Sequence, residues 1–498
     1  MDFSTVLASV GEFLNGLGPT IVLPVIIIIL GLILRMKIGA AIRSGLIVAV
    51  GFVGIFLTVG LLGSTVTEIG EAFAKNTGTG LSVIDIGWPA ASSLAFGSPI
   101  GYLIIPLGIL LNVILLLVRA TKTLDVDLWN FWHIAFVGAL VQFVTGNFWI
   151  ALFAAVIAFV IALFLADWSA PMVQKYFNLP GISIPHLQSA GYMLLAVPFA
   201  WLLRKIPGLR NMKLNPDTTR KRLGLLGEPM VLGFVIGLIL ALVAGQDIAK
   251  ALGTAITLAA VMLLIPRMVA ILMEGLTPLA VAARTFMNDK FKGREVYIGL
   301  DAAVLVGSPA VIAAGLLMVP VEILLAIGLA PLGNQTLPFV DLADGVFVAA
   351  LLAPLVGGDL VMTVILGAIV MGIGLWFCTQ IAPAVSSMVQ ASTNIDIPEG
   401  YNLFTVMSDG SVPISYGFYY LAQTPVVVMI IVALAFVVGL YFLKTRFPLG
   451  EKFLPVIMAG EVAQATSTAP VAASDSAAAS GDGAAAPKKK PAARGKDS

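Results

Sequence analysis

Two histidines occur in a chain of 498 residues, and both stand in apolar surroundings. His133 lies in TLDVDLWNFWHIAF, residues 123–136, among Asp125, Asp127, Trp129, Asn130 and Trp132, and a long apolar run follows it. His186 closes GISIPH, directly after Pro185 and two residues before Gln188. An imidazole changes charge near neutral pH, so it takes a proton from a hydroxyl and returns it. An ionisable group inside a membrane is costly and marks a functional site by default; a buried His satisfied by a backbone carbonyl is the plainer alternative. Other polar residues in similar places extend the candidate set. They are Asp85, Asp301 at the head of DAAVLVGSP, Gln142 and Asn147 at an interruption in an apolar run, and Glu399 in NIDIPE. A carboxylate accepts two or more hydrogen bonds, which suits a ligand with paired hydroxyls.

Several neighbours invite a structural reading instead. Asp125, Asp127 and Trp129 are expected at the membrane–water boundary, where charges stay wet and Trp is enriched. Glu228, directly before Pro229, fits a helix start as well as it fits a ligand contact. Asp341 and Asp344 in FVDLADG read as structural or gating residues. Gly97 and Pro99, and again Gly307 and Pro309, belong to two G-S-P segments that read as hinges or backbone turns.

The elements that must position these groups are membrane helices. The chain is 59% hydrophobic and 11% charged, with a mean hydropathy of +1.02, whereas soluble proteins carry about 25% charged residues. A helical span takes about 20 apolar residues, and runs such as 19–34, 44–62, 252–273 and 425–443 approach or meet that length. Others are interrupted, by G-S-P at Gly97 and Gly307, by QFVTGN at Gln142–Asn147 and by GGD at Gly357–Asp359. Such breaks free backbone groups that lipid cannot satisfy, so they face protein or a water-filled cavity. Period-2 strands of a membrane barrel are missing. Net charge is +1 and Cys378 is the only cysteine, so neither bulk charge nor thiol chemistry points to a partner, and nucleic acid is not among the expected ligands.

The chain repeats itself. G-S-P at Gly97 recurs at Gly307, 210 residues on; VDL at Val126 recurs at Val340, 214 on; Ala170–Val173 resembles Ala382–Val385, 212 on; and ISIPH at Ile182 resembles IDIPE at Ile395, 213 on. That last match makes Glu399 the partner of His186, so that two re-entrant tips would present imidazole and carboxylate. Basic loops alternate between the copies: Arg35, Lys37 and Arg43 follow the first span, whereas Arg284, Lys290, Lys292 and Arg294 stand one loop later in the second copy. By the positive-inside rule the halves have opposite topology. Inverted repeats with broken helices are the pattern of a transporter with its site near the bilayer midplane. The expected fold is an all-α polytopic membrane protein with re-entrant or broken helices, of about five spans per repeat plus one, hence about eleven. The first repeat covers residues 1–203, a basic cytoplasmic linker 204–229, and the second repeat with the final span 230–459. Residues 460–498 form a cytoplasmic tail whose Ala/Pro/Lys composition cannot bury a core. Lys444 and Arg446 after the final span place the N-terminus outside and the C-terminus in the cytoplasm.

No Walker A sequence, HExxH or voltage-sensor arginine row is present, so energy comes from an ion gradient or a partner protein. At this point GWPA, SPIGYLIIPLGILLNVILLLVRATKTLDVDLWNFWHIAF, PGISIPH, KRLGLLGEPMVLG and LPFVDLA together resemble the galactitol-type enzyme IIC membrane component of the bacterial phosphoenolpyruvate-dependent phosphotransferase system, within the ascorbate–galactitol superfamily. The resemblance covers roughly residues 5–455. It implies a homodimer in the bacterial inner membrane, with a core domain and a V-motif scaffold and an elevator-type motion of the core. It also implies uptake of galactitol or a similar polyol with phosphorylation to galactitol 1-phosphate. The donor would be a phosphocysteine on a separate enzyme IIB, itself served by enzyme IIA, because Cys378 lies in an apolar run and no such domain is fused. No cofactor or metal is implied. His133, His186 and Asp301 resemble ligand-contacting positions of the ascorbate branch, and His133 is the expected catalytic base. A proton-coupled secondary polyol transporter, or a family member carrying another polyol or ascorbate, is the alternative.

Overall fold

The computed structural model describes residues 19–77, 81–127, 130–210, 229–290, 295–338, 340–391 and 403–450. The first half runs α1 (Pro19–Ile33), α2 (Ile38–Thr77), β1 (Val83–Asp85), α3 (Gly87–Phe96), α4 (Pro99–Leu117), β2 (Thr123–Asp125), α5 (Phe131–Thr145), α6 (Phe148–Tyr176), β3 (Ile182–Ser183), α7 (Leu187–Leu203) and the short α8 (Pro207–Arg210). The second half repeats that order: α9 (Pro229–Val243), α10 (Ile248–Lys290), β4 (Tyr297–Gly299), α11 (Ala303–Val306), α12 (Pro309–Gly328), β5 (Thr336–Leu337), α13 (Gly345–Leu355), α14 (Leu360–Ala391), β6 (Leu403–Thr405), α15 (Met407–Gly410) and α16 (Pro413–Ala422). A further helix, α17 (Val426–Arg446), ends the described chain. Trp129, Glu228, Glu399, most of the basic linker and the whole tail lie outside the described residues.

Among the described residues six helices are long and apolar enough to cross a membrane, namely α4, α6, α10, α12, α14 and α17. Others, such as α5 and α7, are apolar but shorter, because the turns that the sequence marks do break the runs. At the first G-S-P, Ser98 caps α4: its hydroxyl oxygen accepts from Gly101 N–H at 3.1 Å, and Pro99 opens the helix, where a missing N–H costs nothing. At the second, Pro309 opens α12 in the same way. Gly146 takes a left-handed conformation to end α5 (φ 64°), and Asn147 then caps α6.

The expectation of a purely helical chain missed six strands of two or three residues, too short to show an alternating pattern. They form two parallel sheets, β5–β1–β6 and β2–β4–β3. Each sheet takes its central strand from one half and its edges from the other, so the halves are interlocked. The sheets also correct the repeat. Ile84 and Ile298 are equivalent central residues; Ile298 pairs with Ile182 and Ile84 with Phe404. The match of ISIPH with IDIPE is therefore out of register, and the residue that stands where His186 stands is Ser408, not Glu399.

Helices α1, α2, α9 and α10 pack chiefly on one another, and the remaining elements form a second group. Where α2 crosses α10 small residues let the backbones touch: a Cβ on Gly51 would lie 2.7 Å from the Leu272 backbone, and one on Gly275 2.9 Å from the Ser44 carbonyl oxygen. In the second group α17 is held at its end by Lys444. Its ammonium lies 2.5 Å from Asp167 on α6 and 2.6 Å from the Ala120 carbonyl oxygen, and the pair is buried. Asp167 also accepts from the hydroxyls of Thr121 and Thr123 at the head of β2. Removing one member of a buried pair costs about 3–5 kcal/mol, so Lys444→Met lowers the unfolding temperature of the detergent-solubilised protein clearly. Arg446→Met, at an exposed position two residues on, leaves it unchanged; equal behaviour of the two variants would contradict the anchoring role.

Candidate functional site

The two histidines meet. His133 sits in the first turn of α5, a helix apolar enough to be buried around its first two turns. His186 is the N-cap of α7, placed there by the strand β3 and by Pro185, which cannot continue a ladder. Their Nε2 atoms lie 2.9 Å apart, with the two ring planes at 87°. His133 Nδ1 lies 2.9 Å from Asp409 on α15, and His186 Nε2 lies 3.6 Å from Asp301, just after β4. All four are buried. They come from four separate segments, two in each half.

The hydrogen bonds assign the protons. As N-cap, His186 accepts the Ser189 N–H at Nδ1, so in the neutral ring its proton is on Nε2. That N–H donates to His133 Nε2, which must then be bare, and the proton of His133 is on Nδ1, donated to Asp409. The Ser189 hydroxyl, 2.9 Å from His186 Nδ1 and 2.8 Å from the Phe347 carbonyl oxygen, can turn its proton to either. The result is a directed chain from α7 to Asp409 with one basic nitrogen, His133 Nε2, at its centre. A carboxylate that holds the far side of such a ring stabilises the imidazolium formed when Nε2 takes a proton. Two residues after His186, Gln188 donates to Asp344 at 3.1 Å.

Four further acids, Asp85, Asp341, Asp125 and Asp127, brace the backbone. Asp85 accepts from the N–H groups of Gly87, Met407 and Asp341 at 3.1, 3.0 and 2.7 Å. Asp341 accepts from Trp88 and Ser408 N–H at 2.7 and 2.8 Å. Asp125 and Asp127 are not at a wet boundary, as expected from the sequence, but buried at 6% and 0% exposure. The reason is β2, which carries them into the protein beside β4. Asp125 accepts from Asp127 N–H and the Asn130 amide, and Asp127 accepts from Asp301 N–H at 3.2 Å.

Of the sequence candidates, the fold thus gathers His133, His186, Gln188, Asp301 and Asp344. It turns Asp85 and Asp341 to backbone bracing, and leaves two others out. Asn147 is exposed and its oxygen is spent on capping Trp149 and Ile150 N–H. Gln142 stands nine residues beyond His133, about 13 Å along the helix. Gly97, Pro99, Gly307 and Pro309 form the turns described above. Asp409 was missed. Nothing in its segment MSDGSVP singles it out, and only the register of β6 brings it opposite His133.

The model for the EIIC-GAT family, the sugar-specific permease component of the phosphotransferase system, matches residues 12–400. The galactitol-specific EIIC component of Escherichia coli K12 is 40% identical over 409 residues, 82% of this chain and 90% of that one. A putative permease IIC component of the same strain is 39% identical over 381 residues, 76% of this chain and 86% of that one. A match over most of the chain, with relatives aligned over nearly their whole length, places this protein in the EIIC-GAT family of phosphotransferase-system sugar permease components.

Proposed function

We propose that this chain is the galactitol-carrying permease component of a phosphotransferase system, and that the His133–His186 pair holds the hydroxyl that receives the phosphate. The observation that carries this reading is the buried chain Asp409–His133–His186 with its bare nitrogen at the centre. A hydroxyl entering between the two rings accepts the His186 Nε2–H and donates its own proton to His133 Nε2. Attack on the phosphocysteine of enzyme IIB then forms the O–P bond as the S–P bond breaks. The hydroxyl proton goes to His133 Nε2, the positive ring is held by Asp409, and the thiolate leaves with the electron pair. The anionic product no longer fits a site selected for neutral polyols, which makes uptake one-way.

The finer architecture belongs to the same proposal: a homodimer in the bacterial inner membrane, N-terminus outside, C-terminus in the cytoplasm, with IIB and IIA acting in trans. The separate packing of α1, α2, α9 and α10 supports a scaffold against which the other group moves as an elevator. The swap of basic loops supports inverted halves.

The test is phosphorylation of radiolabelled galactitol by inside-out vesicles carrying the protein. Enzyme I, HPr, IIA and phosphoenolpyruvate are supplied, with and without IIB and a protonophore. The expected result is labelled phosphate ester only with IIB, unaffected by the protonophore. Uptake that ignores IIB and collapses with the proton gradient overturns the reading in favour of a proton-coupled carrier. A panel of other polyols and ascorbate settles the substrate.

A further inference from the structure

The two halves treat one matching position differently. Counted from the G-S-P turn that opens each helix, Asn112 on α4 and Glu322 on α12 are equivalent, 210 residues apart as Pro99 and Pro309 are. Asn112 is fully used. Its amide donates to the Thr123 carbonyl oxygen at 2.9 Å and its oxygen accepts from Asp125 N–H at 2.8 Å, which fastens β2 to the helix. Glu322 is 1% exposed, and neither of its carboxylate oxygens has a hydrogen-bond partner. The strand β5 does not need it, because the Thr336 carbonyl oxygen takes its bond from Asn334 at 3.0 Å. A carboxyl group in a membrane helix with nothing to bond is costly, and a ligand that bonds it removes the cost.

Its surroundings say what kind of ligand. Its helix, α12, packs on α13 and on residues 340–344. Asp344, at the end of that segment, accepts from the Gln188 amide, and Gln188 lies in the first turn of the helix that His186 caps. Glu322 thus sits on the helix that packs against the Asp344 side of the Gln188–Asp344 pair. A second unused group is near Asp341: Ser408 Oγ, buried and without a partner, on the residue whose N–H Asp341 holds. Acceptors predominate here, so the occupant is rich in hydrogen-bond donors. Among the described residues no three His, Cys, Asp or Glu side chains are placed to hold a metal ion. A polyhydroxy chain has a donor on every carbon.

We propose that Glu322 is a specificity-determining hydroxyl acceptor for the end of the polyol remote from the His133–His186 pair. This rests on the polyol reading of the site. With one terminal hydroxyl between the histidines, the other reaches past Gln188 and Asp344 to Glu322, so the site selects a chain hydroxylated at both ends.

The test is calorimetric binding of galactitol and 1-deoxygalactitol to the full-length protein in nanodiscs. Leaving a buried acceptor without its hydrogen bond costs about 1–3 kcal/mol, so the native protein prefers galactitol by roughly tenfold. Glu322→Leu binds galactitol correspondingly less tightly and binds 1-deoxygalactitol as before, which closes the ratio, whereas Glu322→Gln, whose amide oxygen still accepts, keeps part of the preference. An unchanged ratio in the variants overturns the proposal while leaving the polyol reading intact. A native protein that binds no polyol sinks both. If the variants do not fold, carbodiimide modification of Glu322 in the native protein, followed by mass spectrometry, replaces them. Galactitol is expected to slow the modification, and modification at the same rate with and without it overturns the proposal.

Discussion

With the proposed chemistry at the histidine pair, His133→Gln is expected to stop phosphorylation of galactitol without stopping its binding. The amide of glutamine can accept a hydrogen bond from a substrate hydroxyl, but it cannot take the proton. General-base catalysis contributes about 10²–10⁴-fold, so the rate of ester formation with saturating phosphorylated IIB falls by that order while the affinity for galactitol is kept. Asp409→Asn acts through the same nitrogen. An amide in place of the carboxylate no longer stabilises the imidazolium, and it can turn the ring to the tautomer whose Nε2 carries the proton. Groups that act as a unit are not additive, so the double variant His133→Gln/Asp409→Asn is no slower than His133→Gln alone. Rate and binding are measured on the same vesicles, by single-turnover phosphorylation and by equilibrium retention of labelled galactitol. A His133→Gln protein that phosphorylates at the native rate moves the base elsewhere. A double variant slower than the single by the full product separates Asp409 from His133.

Much of this candidate site is legible in the sequence, for a physical reason. A charge-bearing ring inside a long apolar run has few innocent explanations, so His133 and His186 stand out, and their neighbours Gln188 and Asp301 came with them. The repeat was legible as well, because G-S-P and VDL mark turns that a broken membrane helix must have. What failed was fine register. ISIPH and IDIPE look alike as strings, but the sheet equates Ile182 with Phe404, and that shift hides Asp409 and promotes Glu399. The strands themselves were invisible, since two or three residues carry no period. Asp125 and Asp127 were misplaced because a pair of acids beside tryptophans looks like a membrane boundary. Only the pairing of β2 with β4, which brings the Asp301 N–H to Asp127, shows that they are interior. Glu322 had no signal beyond its charge, and its meaning comes from comparison with Asn112.

Asp85→Ala is expected to leave no folded protein. The carboxylate receives N–H groups from Gly87, in its own half, and from Asp341 and Met407, in the other, so it ties three segments at the point where the halves interlock. Each buried donor left without an acceptor costs about 1–3 kcal/mol, and three of them approach the whole stability of a typical domain, about 5–15 kcal/mol. Asp85→Asn keeps one acceptor oxygen and turns an NH₂ group toward a backbone N–H, so it also destabilises, but less. If Asp85 were instead a ligand contact, the asparagine variant would fold normally and lose only affinity. Size-exclusion profiles and unfolding temperatures in mild detergent, with and without galactitol, separate the two. The bracing role requires aggregated Asp85→Ala protein and a lowered unfolding temperature for Asp85→Asn. Two well-folded variants that simply fail to bind galactitol would return Asp85 to the substrate site and leave β1, Asp341 and α15 held together by the sheet alone.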